Sequence, residues 1–204
     1  LAMKWVIKEI SRRLDILKGE NSRNISEYKG KEGMPSILVV IDELSDIMVQ
    51  YPKEAEPVIS KIAEIGDIVG VYILLATSRP SSKILTKDIR DVIGTRIALQ
   101  ATSAQDSKLI VGIPDATKLN GSGDMIFREG SKYPIHAQVI PIDYKEIEKI
   151  TKKLAKEYEA SDVFGMYENP DQYFTANSGN SWMDGYDELY DQAKQIVLES
   201  GKAS

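Results

Sequence analysis

The hydrophobic positions of the chain follow helical and strand-like spacing in turn up to about residue 159. Residues 1–18 repeat apolar side chains every three to four positions and end before Gly19, which predicts an amphipathic helix. The polar stretch 19–36 predicts a loop. The uninterrupted apolar run 37–41 is typical of a strand that is covered on both faces.

A further alternation of elements follows this strand. The pattern predicts a helix over 54–69 and strands over 71–76 and 96–101. Strands that alternate with helices imply a mostly parallel sheet with helices on both faces, so the predicted fold class is α/β. The runs 125–127 and 135–140 predict a closing hairpin.

The composition changes near residue 160. Residues 143–159 have the spacing of a charged amphipathic helix, whereas 160–184 are rich in Asn, Ser, Gly and Asp and show no periodicity. A last helix is predicted over 186–199. We therefore divide the chain into a main domain, 1–159, a linker, 160–184, and a terminal segment, 185–204.

Composition excludes several classes of site. The chain has no cysteine, which excludes disulfides and thiolate ligands, and its single histidine, His136, is expected to be exposed on the polar side of a strand. Its longest apolar runs are five or six residues, far below the roughly 20 that cross a bilayer. The net charge of −5 argues against general nucleic-acid binding, although a narrow basic surface stays compatible with it.

Two adjacent carboxylates, Asp42 and Glu43, directly follow the apolar run 37–41. Ligands of open α/β sheets lie beyond the carboxyl ends of the strands, and Mg²⁺ binds carboxylate and phosphate oxygens there. A neighbouring carboxylate can orient water for attack on a phosphoryl group. The run is a Walker B candidate, with Asp42 near the metal and Glu43 as the catalytic carboxylate. The alternative is that Asp42 caps the following helix.

The next predicted strand ends in ATSRPSS, which places Ser78 and Arg79 at its tip. An arginine at this position supplies positive charge where a phosphoryl-transfer transition state develops negative charge. The alternative is a solvated turn in which Pro80 fixes the chain and Arg79 is merely exposed.

Five ordered segments resemble the motor domain of the FtsK/SpoIIIE-type DNA translocases. They are ILVVIDELSDIM, VYILLATSRPS, GTRIALQ, AQDSKLIVG and GSGDMIF. The family typically shows VVIDELADLM, ATQRPS, PTRIAF, a DSRTIL-like segment and LLGxGDML at similar spacing. The resemblance covers about residues 1–158, and the tail DELYDQAKQIVLESGKAS resembles the start of the family's C-terminal winged-helix module.

The resemblance implies a RecA-like P-loop NTPase fold, with 1–159 as its C-terminal portion and 185–204 as the first helix of a truncated winged-helix module. It implies a hexameric ring that uses ATP and Mg²⁺ to pump double-stranded DNA. It also implies a cytoplasmic location. No membrane tether is expected in this chain, and anchoring of the parent protein to the inner face of the cell membrane stays open.

The resemblance also assigns roles to single residues. Asp42 would hold Mg²⁺ through water, and Glu43 would activate the attacking water. Arg79 would be an arginine finger acting on a neighbouring subunit. Arg96 matches the arginine of PTRIAF and is a further candidate catalytic residue. Asp124 belongs to the GxGDM turn, which is expected to be structural or to form an interface.

Three positions depart from the family pattern. Ser78, the candidate cofactor-binding residue, replaces a glutamine and cannot reach a phosphate-bound water in the same way. Ala104 replaces a residue that is often basic, and Lys108 replaces an arginine. If this segment approaches DNA, Lys108 is its remaining cation, and fewer phosphate contacts weaken binding and its salt dependence.

The sequence contains no GxxxxGK(S/T) loop, and the terminal GKAS lacks its spacing and preceding strand. We therefore expect a C-terminal piece of a motor that by itself binds ATP poorly and hydrolyses little. Two alternatives stay open: a conjugative coupling or secretion ATPase on the same fold, and a non-hydrolysing scaffold subunit that binds DNA or partners.

Overall fold

The computed structural model describes residues 2–30 and 33–158. The predicted linker 160–184 and terminal segment 185–204 lie outside the described residues. The helices are α1 (Ala2–Gly19), α2 (Leu44–Gln50), α3 (Pro52–Ile65), α4 (Lys87–Val92), α5 (Ala104–Val111) and α6 (Tyr144–Glu157). The strands are β1 (Ile37–Ile41), β2 (Val71–Leu75), β3 (Thr95–Ala98), β4 (Asp124–Glu129) and β5 (Ile135–Gln138).

Strands β1 and β2 form a parallel pair, as the sequence predicts. Their register runs from Ile37 opposite Val71 to Ile41 opposite Leu75. Gly70, immediately before β2, has a φ of +73° in the left-handed region, and its carbonyl accepts the N–H of Ile37 at 2.9 Å. A glycine is favoured there because a Cβ atom would lie 2.6 Å from the side chain of Ile25.

Strand β3 belongs to a second sheet. It pairs antiparallel with β4, and β4 pairs antiparallel with β5, so the predicted hairpin is confirmed. The expected addition of β3 to the parallel pair is wrong in this structure. The backbone groups of β3 are satisfied instead by the edge of the hairpin, with Ile97 opposite Phe127. The α/β class holds, with parallel pairing confined to β1 and β2 among the described strands.

The parallel pair is covered on one face by helices. Side chains of α1 and α3 pack there around Ile10, Ile62 and Val71, and a second core under α2 and α4 contains Leu44 and Ile59. On the opposite face, four large apolar side chains are 47–61% exposed: Leu38, Val40, Tyr72 and Leu74. We call these four side chains the open sheet face. The expectation of helices on both faces is therefore met on only one face by the described residues.

Arg13 fixes the relation between α1 and the parallel pair. Its side chain is only 2% exposed and donates to the carbonyls of Val69 and Pro35, both at 2.9 Å, and to the carboxylate of Glu9 at 2.7 Å. Val69 and Pro35 lie shortly before β2 and β1. One guanidinium therefore ties the helix to the start of each strand.

The helices also differ from the predicted pattern. The predicted helix 54–69 is α3, which begins at Pro52, ends at Ile65 and is followed by a 3₁₀ turn, Asp67–Val69. The short helices α2, α4 and α5 were not expected. No helix in the described part of the chain is long and apolar enough to cross a membrane.

Candidate functional site

The candidate site lies at the carboxyl ends of β1 and β2, which remain paired beyond the last strand residues. The N–H of Leu44 donates to the carbonyl of Ala76, and the N–H of Ala76 donates to the carbonyl of Ile41, both at 2.8 Å. These bonds bring the residues that follow β1 next to those that follow β2.

Glu43 is the centre of this arrangement. Its Oε1 atom accepts the Thr77 hydroxyl at 2.5 Å and the Ser45 N–H at 3.2 Å. Its Oε2 atom accepts the N–H of Ser78 at 2.9 Å and the Ser78 hydroxyl at 2.5 Å. A carboxylate has about four lone-pair directions. Protein donors therefore fill the hydrogen-bonding capacity of Glu43.

These donors stabilise the ionised carboxylate. They hold the pKa of Glu43 far below its usual range, with the Ser78 hydroxyl contributing most, followed by the Thr77 hydroxyl, the Ser78 N–H and Ser45. A carboxylate with so low a pKa is a weak base. One donor must leave Glu43 before the carboxylate can accept a hydrogen bond from water.

Asp42 is exposed, and its carboxylate makes no hydrogen bond or ion pair with the part of the chain that the structure describes. The alternative role for Asp42, capping the next helix, is filled by Glu43, which is the N-cap of α2 and accepts the Ser45 N–H. Asp42 is therefore free to face a cation at the strand end.

The arrangement suits a Mg²⁺ ion that keeps most of its water. Within residues 2–30 and 33–158, no group of three or more Asp, Glu and His side chains could surround a metal. Mg²⁺ commonly binds through one or two carboxylates together with waters and phosphate oxygens. The single free carboxylate of Asp42 fits that binding mode, and an all-protein cage is not what these residues form.

Arg79 follows Ser78 on the same loop. Its backbone N–H donates to Thr77 Oγ1 at 3.1 Å, while its exposed guanidinium makes no hydrogen bond with the described residues. The side chain borders a cavity of about 320 Å³ between α2 and the loop after β2. The other residues that line this cavity are Ser45, Asp46, Val49, Gln50, Ser81, Lys83 and Ile84.

Arg96 lies on β3, and its guanidinium is engaged by the backbone. It donates to the carbonyls of Ile93 at 3.0 Å, Ile110 at 3.3 Å and Arg90 at 2.5 Å. Burial lowers the pKa of Arg96, and the nearby charges of Arg128 and Arg90 lower it further. The side chain joins β3 to α4 and α5 and makes no hydrogen bond with Glu43, so a direct catalytic role stays a prediction.

Lys108 lies on α5 with an exposed side chain. Lys108 makes no hydrogen bond with Glu43. Its approach to DNA stays a prediction.

The GxGDM turn is built by structural contacts. Gly123 has a φ of +88°, and a Cβ atom there would lie 2.6 Å from the carbonyl oxygen of Val139. The buried carboxylate of Asp124 accepts the Asn120 N–H at 2.9 Å and contacts the ring of His136. The side chain of His136 is 65% exposed, as the sequence analysis predicts.

Thr77 is the member of the site that the sequence analysis did not identify. The signal was present, because Thr77 precedes Ser78 and Arg79 in ATSRPSS. A polar side chain directly after a buried strand, opposite a carboxylate pair on the neighbouring strand, is placed to donate to it.

Sequence comparison finds relatives over the whole chain, although no protein-family model matches it. The chain is 33% identical over 211 residues to the DNA translocase SftA of Bacillus subtilis strain 168. It is 34% identical over 213 residues to the DNA translocase FtsK of Clostridium tetani. These alignments cover 100% of this chain and 21% and 28% of the two relatives, so the chain spans about a quarter of their length.

Solved structures show the same fold. The conjugation coupling protein TcpA of pCW3, in a monomer form with ATPγS, superposes with a TM-score of 0.64 at 24% identity, over 74% of this chain and 47% of that chain. The cytoplasmic domain of the type VII secretion ATPase EccC of Thermomonospora curvata gives 0.58 at 26% identity, over 66% and 17%. The fold is thus that of the P-loop ATPase motor domains. By its sequence, the chain belongs to the FtsK/SpoIIIE family of DNA translocases.

Proposed function

We propose that the chain supplies the water-orienting part of an ATP-hydrolysing site in a ring-shaped motor that moves double-stranded DNA. The observation that carries this proposal is the meeting of Asp42 and Glu43 with Thr77, Ser78 and Arg79 at the ends of two parallel strands. The names of the SftA and FtsK relatives support DNA as the substrate of the parent protein.

Asp42 would hold Mg²⁺ through a bound water, and the ion would neutralise charge on the phosphate oxygens. Glu43 lies one residue further, as the N-cap of α2, and its carboxylate would accept a hydrogen bond from the attacking water once a donor has left it. The closed set of donors around Glu43 represents a resting arrangement in this proposal. Departure of one donating hydroxyl, that of Ser78 or of Thr77, would free one position on the carboxylate.

We propose that the phosphate-binding loop comes from polypeptide outside these residues. The sequence has no GxxxxGK(S/T), and a neighbouring element could pack on the open sheet face, where apolar side chains are half-exposed. The chain alone would then bind ATP poorly. In the ring, the free guanidinium of Arg79 would reach the nucleotide of an adjacent subunit.

The remaining residues take supporting places in this proposal. Arg96 would maintain the position of β3 relative to α4 and α5, and a direct role with nucleotide stays a prediction. Lys108 would lie near the DNA backbone. The proposed location is the cytoplasm, and any membrane tether would belong to other parts of the parent protein.

Two alternatives have support of their own. A conjugative coupling or secretion ATPase is favoured by the superpositions on TcpA and EccC. A non-hydrolysing scaffold is favoured by the saturated hydrogen bonding of Glu43. The free carboxylate of Asp42 is better explained by a motor, because a scaffold has no need of an unpaired acid at this strand end.

The test compares the complete protein that carries this chain with its Glu43→Gln variant. We expect the variant to retain ATP and to lose at least about 100-fold in turnover, because the amide is a poor acceptor of the water proton. Glu64→Gln, an exposed change on α3, is the matched control and should leave turnover intact.

The substrate is tested in the same preparations. Stimulation by double-stranded DNA and displacement of a third strand from a linear triplex would support the motor. Equal turnover in the wild type and the Glu43→Gln variant would refute the assignment of Glu43. ATP turnover that responds only to a secreted peptide or a relaxosome protein would favour the coupling or secretion alternative.

A further inference from the structure

Thr77 lies between the carboxylate of Glu43 and the backbone of Arg79 and is hydrogen-bonded to both. Its hydroxyl donates to Glu43 Oε1 at 2.5 Å, and Thr77 Oγ1 also accepts the N–H of Arg79 at 3.1 Å. Thr77 is half-buried, whereas Arg79 is exposed. One side chain therefore joins a fixed strand end to an exposed loop.

The two hydrogen bonds of Thr77 strengthen each other. A hydroxyl that donates to a carboxylate becomes a better acceptor, because hydrogen bonds in a chain polarise one another. The orientation of the hydroxyl proton toward Glu43 also fixes where the lone pairs of Oγ1 point. The N–H of Arg79 can meet such a lone pair only while the loop keeps its position.

We propose that Thr77 is a positioning residue that couples the Glu43 carboxylate to the backbone of Arg79. The proposal deepens the proposed function and rests on it for the roles of Glu43 and Arg79. When Arg79 is pulled toward a neighbouring phosphate, its N–H leaves Oγ1, the Thr77 hydroxyl becomes a weaker donor, and its bond to Glu43 weakens. Engagement of Arg79 would thus release Glu43 to orient water.

Three substitutions separate the hydroxyl from the shape of the side chain. Thr77→Val keeps the branched shape and removes both hydrogen bonds, and Thr77→Ser keeps the hydroxyl. Thr77→Ala is a second variant without a hydroxyl in case valine prevents folding. Thr117→Val is the matched control, because the Thr117 hydroxyl donates to a backbone carbonyl, that of Pro114, at 2.9 Å, away from Glu43.

The first measurement is hydrogen exchange of the Arg79 amide by NMR in the 204-residue chain, which does not depend on ATP turnover. We expect Thr77→Val and Thr77→Ala to speed exchange by roughly tenfold, the effect of losing one hydrogen bond. Thr77→Ser and Thr117→Val should stay within about twofold of the wild type.

The coupling itself is measured by a double-mutant cycle. In the wild-type background, Glu43→Gln should speed exchange of the Arg79 amide more than about twofold. In the Thr77→Val background, the same change should speed exchange less than about twofold, because the hydroxyl that links Glu43 to Arg79 is already absent. Unchanged Arg79 exchange in Thr77→Val, or the same Glu43→Gln effect in both backgrounds, would overturn the coupling.

The second measurement is steady-state ATPase activity of the complete protein. Because Thr77→Val removes a donor that restrains Glu43, it should raise kcat about threefold or more with KM within about threefold, and Thr77→Ser should restore the wild-type kcat. A rise in KM alone, or failure of serine to restore kcat, contradicts a positioning role. A wild-type protein without turnover would refute the proposed function, while the exchange cycle would still decide the coupling.

Discussion

Glu43 and Thr77 are 34 positions apart in the sequence, yet Thr77 Oγ1 donates to Glu43 Oε1 at 2.5 Å. The contact follows from the in-register parallel pairing of β1 and β2, which places Ile41 opposite Leu75. Each strand therefore delivers its following residues to the same edge. Backbone pairing therefore sets the distance between the Glu43 carboxylate and its donors. Because two of those donors are single hydroxyl groups, removing either one changes the environment of Glu43.

Removing the hydroxyl of Ser78 should loosen the hold on Glu43. This hydroxyl is the largest of the influences that lower the pKa of Glu43, so Ser78→Ala should raise that pKa toward its ordinary value of 4.5. The ¹³C shift of the Glu43 carboxyl is followed between about pH 2 and pH 6, where the wild-type carboxyl should stay ionised and the Ser78→Ala carboxyl should begin to take up a proton. The control is Ser81→Ala, on the same loop. A Glu43 carboxyl that stays ionised down to about pH 2 in Ser78→Ala would contradict the assigned bond.

Replacing Arg13 by methionine should destabilise the chain by about 3 kcal/mol, because the carbonyls of Val69 and Pro35 and the carboxylate of Glu9 lose a buried partner. The free energy of unfolding is measured by urea denaturation. Arg12→Met is the matched control: Arg12 pairs with the same Glu9, but its side chain is 45% exposed. We expect that change to cost less than about 1 kcal/mol. Equal costs for both arginines would refute the buried tie.

Asp124 should make stability depend on acid pH. The N–H of Asn120 contributes most to lowering the pKa of Asp124, with His136 adding to it. A carboxylate whose pKa is lower in the folded chain stabilises the fold above its ordinary value of 3.8, and that contribution is lost as the pH falls through the lower, folded-state pKa.

The variant Asp124→Asn tests this dependence, because it cannot ionise. It should be less stable than the wild type near neutral pH and should lose less stability on acidification, measured by urea denaturation at a series of pH values. Asp15→Asn, an exposed change on α1, is the control and should follow the wild-type curve. A parallel curve for Asp124→Asn would show that Asp124 contributes nothing to acid sensitivity.

The sequence predicts the long and strongly patterned parts of the fold. Helix α1, strands β1 and β2, and the hairpin all lie close to their predicted positions. Each contains either a continuous apolar run or a clear periodic spacing of apolar residues. The short helices α2, α4 and α5, of seven, six and eight residues, span about two turns or fewer. Such lengths are too short for a clear helical pattern.

The sheet partner of β3 could not be predicted from its own residues. Alternating apolar positions indicate a strand and its two faces, but the pattern is the same whether the neighbour is parallel or antiparallel. The antiparallel choice depends on where β4 presents its free edge, and that edge is formed by residues about 30 positions later.

The sequence predicts that the candidate site residues of β1 and β2 lie at the same sheet edge, but it does not predict the hydrogen bonds among them. The adjacency of Glu43 and Ser78 follows from parallel pairing, whereas the identity of the helix cap depends on which residue begins α2. Because pairing continues to Leu44, the cap is Glu43, one residue later than the Asp42 alternative. A shift of one position is within the uncertainty of any helix boundary that is read from sequence. It is nevertheless what leaves Asp42 free.

The open sheet face also bears on the behaviour of the newly made polypeptide. Leu38 lies opposite Tyr72 and Val40 opposite Leu74, so a continuous apolar surface forms as soon as β2 pairs with β1. Exposed surfaces of this kind promote aggregation of newly made chains. A covering segment translated earlier could receive this face at once. One translated later would leave this apolar face open to aggregation for that interval.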